Sequence, residues 1–401
     1  MNKKFTETGN GFFEVGQGKP LNQPYYFQND AKKNLDIMNK QDSFSTLVVL
    51  PTGGGKTFTA TSWLLTNAID KKIKVLWIAH RQMLLDQALQ GFDRNSLLTY
   101  LPNRSKYYYR IISGNHPKHD RVGDIEAKDD VIIASKDSLI RNMEALGDWL
   151  DGENELFLVI DEAHHSTAKS YRRIIDYIGS RIKSLKIIGL TATPIRTIKE
   201  EEGLLTNIFN DSIVNNIPVH DEHTLGICYE IGLSELIKKN YLAKPIPVEP
   251  KTDFQFEGTL GVDDLNTINR TGYLPPEIEK ELAENATRNR MIMEHYLENK
   301  DKYGKTLIFA ISRPQANQLN TLFEDEGIRV DFVISGDVED VGRNTKRDNN
   351  KIINKFKNDE LDVLINVNIL SEGSDIPQIQ TVFLTRPTIS NILMTQMVGR
   401  A

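Results

Sequence analysis

The chain has 401 residues, of which 39% are hydrophobic and 26% charged; these globular proportions exclude wholesale disorder and collagen-like repeats and point to two or three domains. Lysine and arginine number 49 against 55 aspartates and glutamates, for a net charge of −6. A histone-like basic coat is thereby excluded, but a nucleic-acid groove needs only a local positive lining. Apolar runs such as 156–160 reach five residues, where about 20 are needed to span a bilayer. The N-terminus lacks the apolar stretch of a signal peptide, and the single cysteine, Cys228, allows no internal disulfide. A soluble, cytoplasmic protein with no membrane partner is expected.

In chain order, residues 1–20 read as an N-terminal segment. Strands are then expected at 46–50, 74–79, 131–134, 156–160 and 186–190, nearly continuous in Val, Ile and Leu, as strands covered on both faces by helices should be. Helical patterns at 57–69, 81–92, 138–146 and 168–180 separate them, so 21–215 is a parallel α/β domain. Residues 216–285 hold Pro218, Pro245, Pro247, Pro250, Pro275 and Pro276 with few apolar runs and read as a connector. Alternation resumes with strands at 305–311, 329–334, 362–367 and 381–385 and helices at 315–327 and 345–357, giving a second α/β domain over 286–401.

After the first of these strands comes Pro51-Thr52-Gly53-Gly54-Gly55-Lys56-Thr57, a glycine loop followed by a helical pattern. Glycines let backbone N–H groups curl around an anion, and the helix N-terminus adds partial positive charge. Lys56 can reach the β and γ phosphates of a nucleotide, and the Thr57 hydroxyl can ligate Mg2+. Leu50 occupies the place of the first glycine in the strict phosphate-loop pattern. The strand 156–160 runs into Asp161-Glu162-Ala163-His164-His165, placing two acids at a carboxyl strand end, where open α/β sheets bind ligands. Asp161 would hold the Mg2+ shell and Glu162 would orient or deprotonate the attacking water. Adjacent histidines diverge and have no cysteine partners, so His164 is assigned to coupling rather than to zinc.

These blocks, with Ser170-Tyr171-Arg172-Arg173-Ile174 and Gly189-Leu190-Thr191-Ala192-Thr193-Pro194, resemble a DEAH-type superfamily 2 helicase, near the type III restriction helicase domain and the XPB-like DNA translocases. The resemblance implies two tandem RecA-like parallel-sheet domains with the nucleotide cleft between them, and ATP and Mg2+ as cofactors. It implies that Gln28, after Tyr25-Tyr26-Phe27, reads adenine, and that Arg81, Ser135 and Lys136 touch the nucleic-acid backbone. Thr191 and Thr193 would couple ATP state to strand binding. In the second domain it implies phosphate contacts from Ser312 and Arg313, nucleotide contacts from Gly373 and Asp375, coupling through Gln396, and an arginine, Arg400, for the γ phosphate. The chain stops at Ala401, before the final arginine of that last motif, so a truncated second domain is expected. DNA is favoured over RNA as the partner; an RNA helicase and an ATP-gated sensor or clamp stay open as alternatives. A restriction or defence role is open too, with any nuclease supplied by a partner or by missing C-terminal domains.

Overall fold

The computed structural model describes residues 9–20, 23–114, 118–166, 169–193, 205–250, 274–334, 348–367, 369–370 and 379–386. The chain divides into two units, Met1–Leu242 and Ala243–Ala401, each built on its own sheet.

The first sheet has eight strands. They are β1 (Asn10–Glu14), β2 (Phe44–Val49), β3 (Lys74–Ala79), β4 (Lys106–Ile112), β5 (Val131–Ser135), β6 (Glu155–Asp161), β7 (Ser184–Thr191) and β10 (Ile227–Glu230), arranged β1-β4-β5-β3-β6-β7-β2-β10. All neighbours are parallel except β1 on β4. The alternation of a strand sends its side chains to both faces in turn. On β3, Val75, Trp77 and Ala79 enter the core beneath the helices Tyr26–Met38, Lys56–Asn67 and Gln82–Asn95. Leu76 and Ile78 enter the opposite core with Trp149 and with Tyr171, Ile174 and Ile178 of the helix Lys169–Gly179. Burial on both sides explains the unbroken apolar runs in the sequence. Each such Leu, Ile or Val contributes about 1.5–3 kcal/mol.

The first unit reaches further than the alternation in the sequence indicated. The segment 1–20 supplies β1, and the expected connector supplies β10, which pairs in parallel with β2 (Ile227 with Leu47). A boundary at 215 is therefore replaced by one at Leu242. The cause is local: Ile227-Cys228-Tyr229-Glu230 lies at the sheet edge, is only partly buried, and so needs no apolar run. Between them, β8 (Asp211–Val214) and β9 (Ile217–His220) form an antiparallel hairpin. Its two-residue turn, Asn215-Asn216, has φ of 52° and 62°, the left-handed pair that asparagine tolerates best after glycine.

The second sheet is parallel and ordered β12-β13-β11-β14, with β11 at Thr306–Phe309, β12 at Val330–Ile334, β13 at Val363–Val367 and β14 at Thr381–Leu384. The helices Ala286–Glu298 and Arg313–Asp325 cover one face through Tyr296, Leu319 and Phe323. The helix Pro276–Glu284, also assigned to the connector in the sequence, belongs to this unit. Among the described residues, no helix is long and apolar enough to cross a membrane.

Candidate nucleotide site and polynucleotide edge

Parallel strands bring their carboxyl ends to one edge of the sheet, and every candidate residue of the first unit but Gln28 follows such an end. The adjacent strands β6, β7 and β2 end in Asp161, Thr191 and the glycine loop; their neighbours β5 and β3 end in Ser135 and in His80-Arg81.

The loop is held open by backbone conformations that side chains resist. Gly53 and Gly55 have φ of 80° and 77°, in the left-handed region. A Cβ on Gly55 would lie 2.5 Å from Gln28 Nε2. The Gln28 carboxamide, 6% exposed, donates to the Gly54 carbonyl at 3.0 Å and accepts from the Tyr25 N–H at 2.9 Å. Gln28 therefore ties the start of its helix to the phosphate loop. Beside it Tyr25 stacks on Phe27 at 5.6 Å, and Tyr241 packs edge-on against both. Thr52 is buried beneath the loop, and Lys56 and Thr57 open the helix Lys56–Asn67.

The acids lie opposite. Asp161 and Glu162 are 2% and 4% exposed. Glu162 sits at φ 49°, a left-handed turn that costs a non-glycine residue about 1–2 kcal/mol. Lys56 Nζ stands 3.5 Å from Glu162 Oε1. Asp161 Oδ1 accepts from the Glu162 N–H at 3.0 Å. Asp161 Oδ2 is buried with no hydrogen-bond partner among the described residues; the Trp77 indole is nearby but outside hydrogen-bonding geometry. Burial, reinforced by the neighbouring Glu162 carboxylate and opposed by Lys56, pushes the Asp161 carboxyl up to about 7.

A polar chain leads away from this corner. The Glu162 carboxylate is 3.5 Å from His164 Nδ1, which lies 3.1 Å from Thr191 Oγ1. Thr191 gives its own hydroxyl proton to the Thr193 carbonyl at 2.9 Å and accepts from the Thr193 N–H at 3.1 Å. His164 Nδ1 is then the donor in its contact with Thr191. The structure thus brings together Lys56, Asp161, Glu162, His164, Thr191 and Thr193.

Two strands away lies a second polar cluster. A pocket of about 130 Å³ is lined by His80, Gln82, Ser113, Gly114, Ser135, Asp137, Ser138 and Arg141. Ser135 caps the next helix and donates to Ser138 Oγ at 2.8 Å; the Gly114 N–H donates to the same Ser138 oxygen at 2.8 Å. Lys136 turns to Asp137 at 3.1 Å and lies over the Tyr171 ring, while Arg81 caps the helix Gln82–Asn95. Gln82, Ser113 and Ser138 were not singled out in the sequence. Ser113 follows β4, whose Lys-Tyr-Tyr-Tyr-Arg start hides the strand; Ser138 lies three residues after Ser135.

In the second unit, Ser312 caps the helix Arg313–Asp325 just beyond the carboxyl end of β11, accepting from the Gln315 N–H. Gly373, Asp375, Gln396 and Arg400 lie outside the described residues.

Comparison with known proteins agrees with this arrangement. Residues 22–196 match the family of the type III restriction enzyme res subunit, and 287–401 match the helicase conserved C-terminal domain. The chain is 32% identical to the putative ATP-dependent helicase IRC3 of Saccharomyces cerevisiae, over 93% of this chain and 48% of that protein. It is 22% identical to the type I restriction enzyme EcoKI endonuclease subunit of Escherichia coli, over 94% of this chain and 33% of that one. The chain therefore spans half or less of the length of these relatives. Among solved structures, S. cerevisiae Dbp5 bound to RNA and ADP BeF3 shares the fold, with a TM-score of 0.58 at 15% identity over 95% of this chain and 81% of that one. With its two parallel-sheet domains and both family matches, the chain belongs to the superfamily 2 helicases related to the type III restriction enzymes and carries the domains of a helicase ATPase.

Proposed function

We propose that the protein is an ATP-driven motor on nucleic acid, a translocase or helicase that acts on DNA. The observation carrying this reading is the buried set Lys56, Asp161, Glu162 and His164 beside a glycine loop, on the same sheet edge as a pocket lined by serines, Gln82 and Arg141. The residues fit a magnesium nucleotide. Asp161 Oδ2 is a buried oxygen without a hydrogen-bond partner among the described residues, and burial beside the Glu162 carboxylate raises the Asp161 pKa, an environment that a divalent cation would favour. Bound there, with Thr57 as a further ligand, a divalent cation would supply charge against the β and γ phosphates.

The chain's own groups do the rest. Lys56 neutralises phosphate charge as it spreads in the transition state. Glu162 orients the attacking water and accepts its proton, held for that task by its left-handed backbone and by Lys56 and His164. Gln28 and the Tyr25–Phe27 pair receive the base. His164, Thr191 and Thr193 carry the state of the nucleotide site toward the polynucleotide. Arg81, Ser135 and Lys136, with Ser312 and Arg313 of the second domain, contact phosphates and so do not read sequence. DNA is preferred because the matching family and one of the relatives belong to restriction enzymes. The RNA in the Dbp5 structure accompanies a likeness of fold alone.

Steady-state ATPase assays with DNA and RNA of equal length, at rising salt, test this. DNA should stimulate more, and stimulation should fall with salt as phosphate contacts release counterions. Turnover that grows with DNA length marks a motor rather than a stationary clamp. A clear RNA preference would overturn the DNA assignment, and no stimulation by either polymer would overturn the motor.

A further inference from the structure

Arg288 lies in the first turn of the helix Ala286–Glu298 and is half-buried. Its guanidinium donates to two backbone carbonyls, Leu282 O and Thr385 O, and faces no carboxylate among the described residues. Among the described residues, three other shielded arginines are paired with carboxylates. Arg104 meets Asp130, Arg110 meets Asp120, Glu126 and Asp129, and Arg386 meets Glu279. Burial pulls the Arg288 pKa down, with no acidic neighbour pushing it back. A shielded cation without a counter-charge is costly, and natural proteins keep such exceptions chiefly where function requires them.

The surroundings hold Arg288 in place. Next to it, Asn289 is fully buried; its amide donates to Ala283 O at 2.8 Å and Gln318 Oε1 at 2.7 Å, and its oxygen accepts from Gln315 Nε2 at 2.9 Å. Gln315, also fully buried, accepts from the Ile311 N–H at 2.8 Å and donates its own N–H to Ser312 Oγ. Thr385, whose carbonyl receives Arg288, donates its hydroxyl to Phe309 O at 2.8 Å. One satisfied polar network therefore fixes Arg288 against the carboxyl ends of β11 and β14, in the same frame as Ser312 and Arg313. Such networks rigidify what they hold. Two carbonyl bonds leave guanidinium donors to spare, in the planar fork that matches phosphate oxygens.

We propose that Arg288 is a phosphate-binding residue of the second domain, taking a backbone phosphate of the polynucleotide. This rests on the reading that the chain binds nucleic acid, and it adds a residue that neither motif nor relative assigned. The same chemistry could be met by a nucleotide phosphate, so the test has two arms. In the intact chain, phenylglyoxal labelling of Arg288 is followed by peptide mass spectrometry with no ligand, with single-stranded DNA and with ATP, using Arg329, paired to Asp362, as the internal reference. DNA should protect Arg288 and leave Arg329 unchanged. Protection by ATP alone would place a nucleotide phosphate there and overturn the backbone assignment, and protection by neither would overturn phosphate binding altogether. Arg288→Gln should lower DNA affinity about tenfold and reduce the slope of log affinity against log salt by about 0.7, with nucleotide affinity unchanged. Arg288→Lys should keep the slope. A residue that only ties carbonyls together would change melting temperature in Arg288→Gln and leave the salt slope alone. If DNA binds the protein yet neither protection nor slope responds, Arg288 is wrong and the motor reading stands; if DNA does not bind at all, the motor reading itself falls.

Discussion

In the proposed function, two halves of one sheet edge of the first domain would serve opposite demands. At β6, β7 and β2 the functional groups are charged, almost fully buried and linked to one another: Lys56 to Glu162, and Glu162 through His164 to Thr191. At β5 and β3 the groups lining the pocket are largely serine hydroxyls and amides, with Asp137 and Arg141 among them, bonded among themselves by Ser135, Ser138 and the Gly114 N–H. The difference teaches what each half is for. Bond cleavage gains from charges kept out of water, where each acts strongly on the reacting atoms. Moving along a polymer requires contacts that are made and released every cycle, and neutral donors worth about 1 kcal/mol each suit that.

Breaking the buried half should have the largest effect. Glu162→Gln keeps size and hydrogen bonding but cannot accept a proton, so turnover should fall about 10²–10⁴-fold while binding of a fluorescent ATP analogue stays near the wild-type value. Next comes Lys56→Ala, which removes charge-assisted bonds to phosphate; nucleotide affinity itself should drop about 10–150-fold, measured by titration of the same analogue. Equal losses of binding and turnover in Glu162→Gln would erase the distinction between the two roles.

The pH response of Asp161 sharpens the same half. Its folded pKa of about 7 lies above the ordinary carboxylate value of roughly 4. Between these values the folded protein binds more protons than the unfolded chain, so without a cation stability is lost as pH rises from about 4 to about 7, by at most roughly a few kcal/mol. Urea midpoints at pH 5 and pH 8 should show this decline in wild type and a flatter profile in Asp161→Asn. Because the metal must displace the proton, apparent Mg2+ affinity should weaken about tenfold per pH unit below 7. The pocket half should respond more gently. Ser138→Ala should weaken DNA binding about fivefold, as expected for about 1 kcal/mol, with unchanged nucleotide affinity by anisotropy and analogue titration.

The sequence made the buried half legible because its chemistry needs rare residue types at fixed strand ends: glycines before Lys56, and two acids after an apolar run. The covered strands were equally plain, since burial on both faces leaves only Val, Ile and Leu. The edges were not. β1 and β10, at the two margins of the sheet, each end in a glutamate and are only partly buried, while β4, second in the sheet, buries Tyr107, Tyr109 and Arg110 in place of an aliphatic run, so none of the three carries the pattern that marks a central strand. The pocket was half legible, because Ser135 sits in a motif while Ser113 belongs to an unrecognised strand end. Arg288 left no signal at all: only packing reveals that this arginine has carbonyls for partners and, among the described residues, no acid.

What joins the halves is His164, which stands between Glu162 and Thr191. The ratio of DNA-stimulated to basal ATPase rate, compared between His164→Ala and wild type, tests that link most directly. The expected result is a basal rate that falls by no more than about tenfold, the worth of a lost contact of about 0.5–1.5 kcal/mol that helps to hold Glu162, together with a stimulation ratio that falls toward one. A variant that keeps the wild-type stimulation ratio would contradict the account, because the nucleotide and polynucleotide halves would then communicate without the Glu162–His164–Thr191 chain.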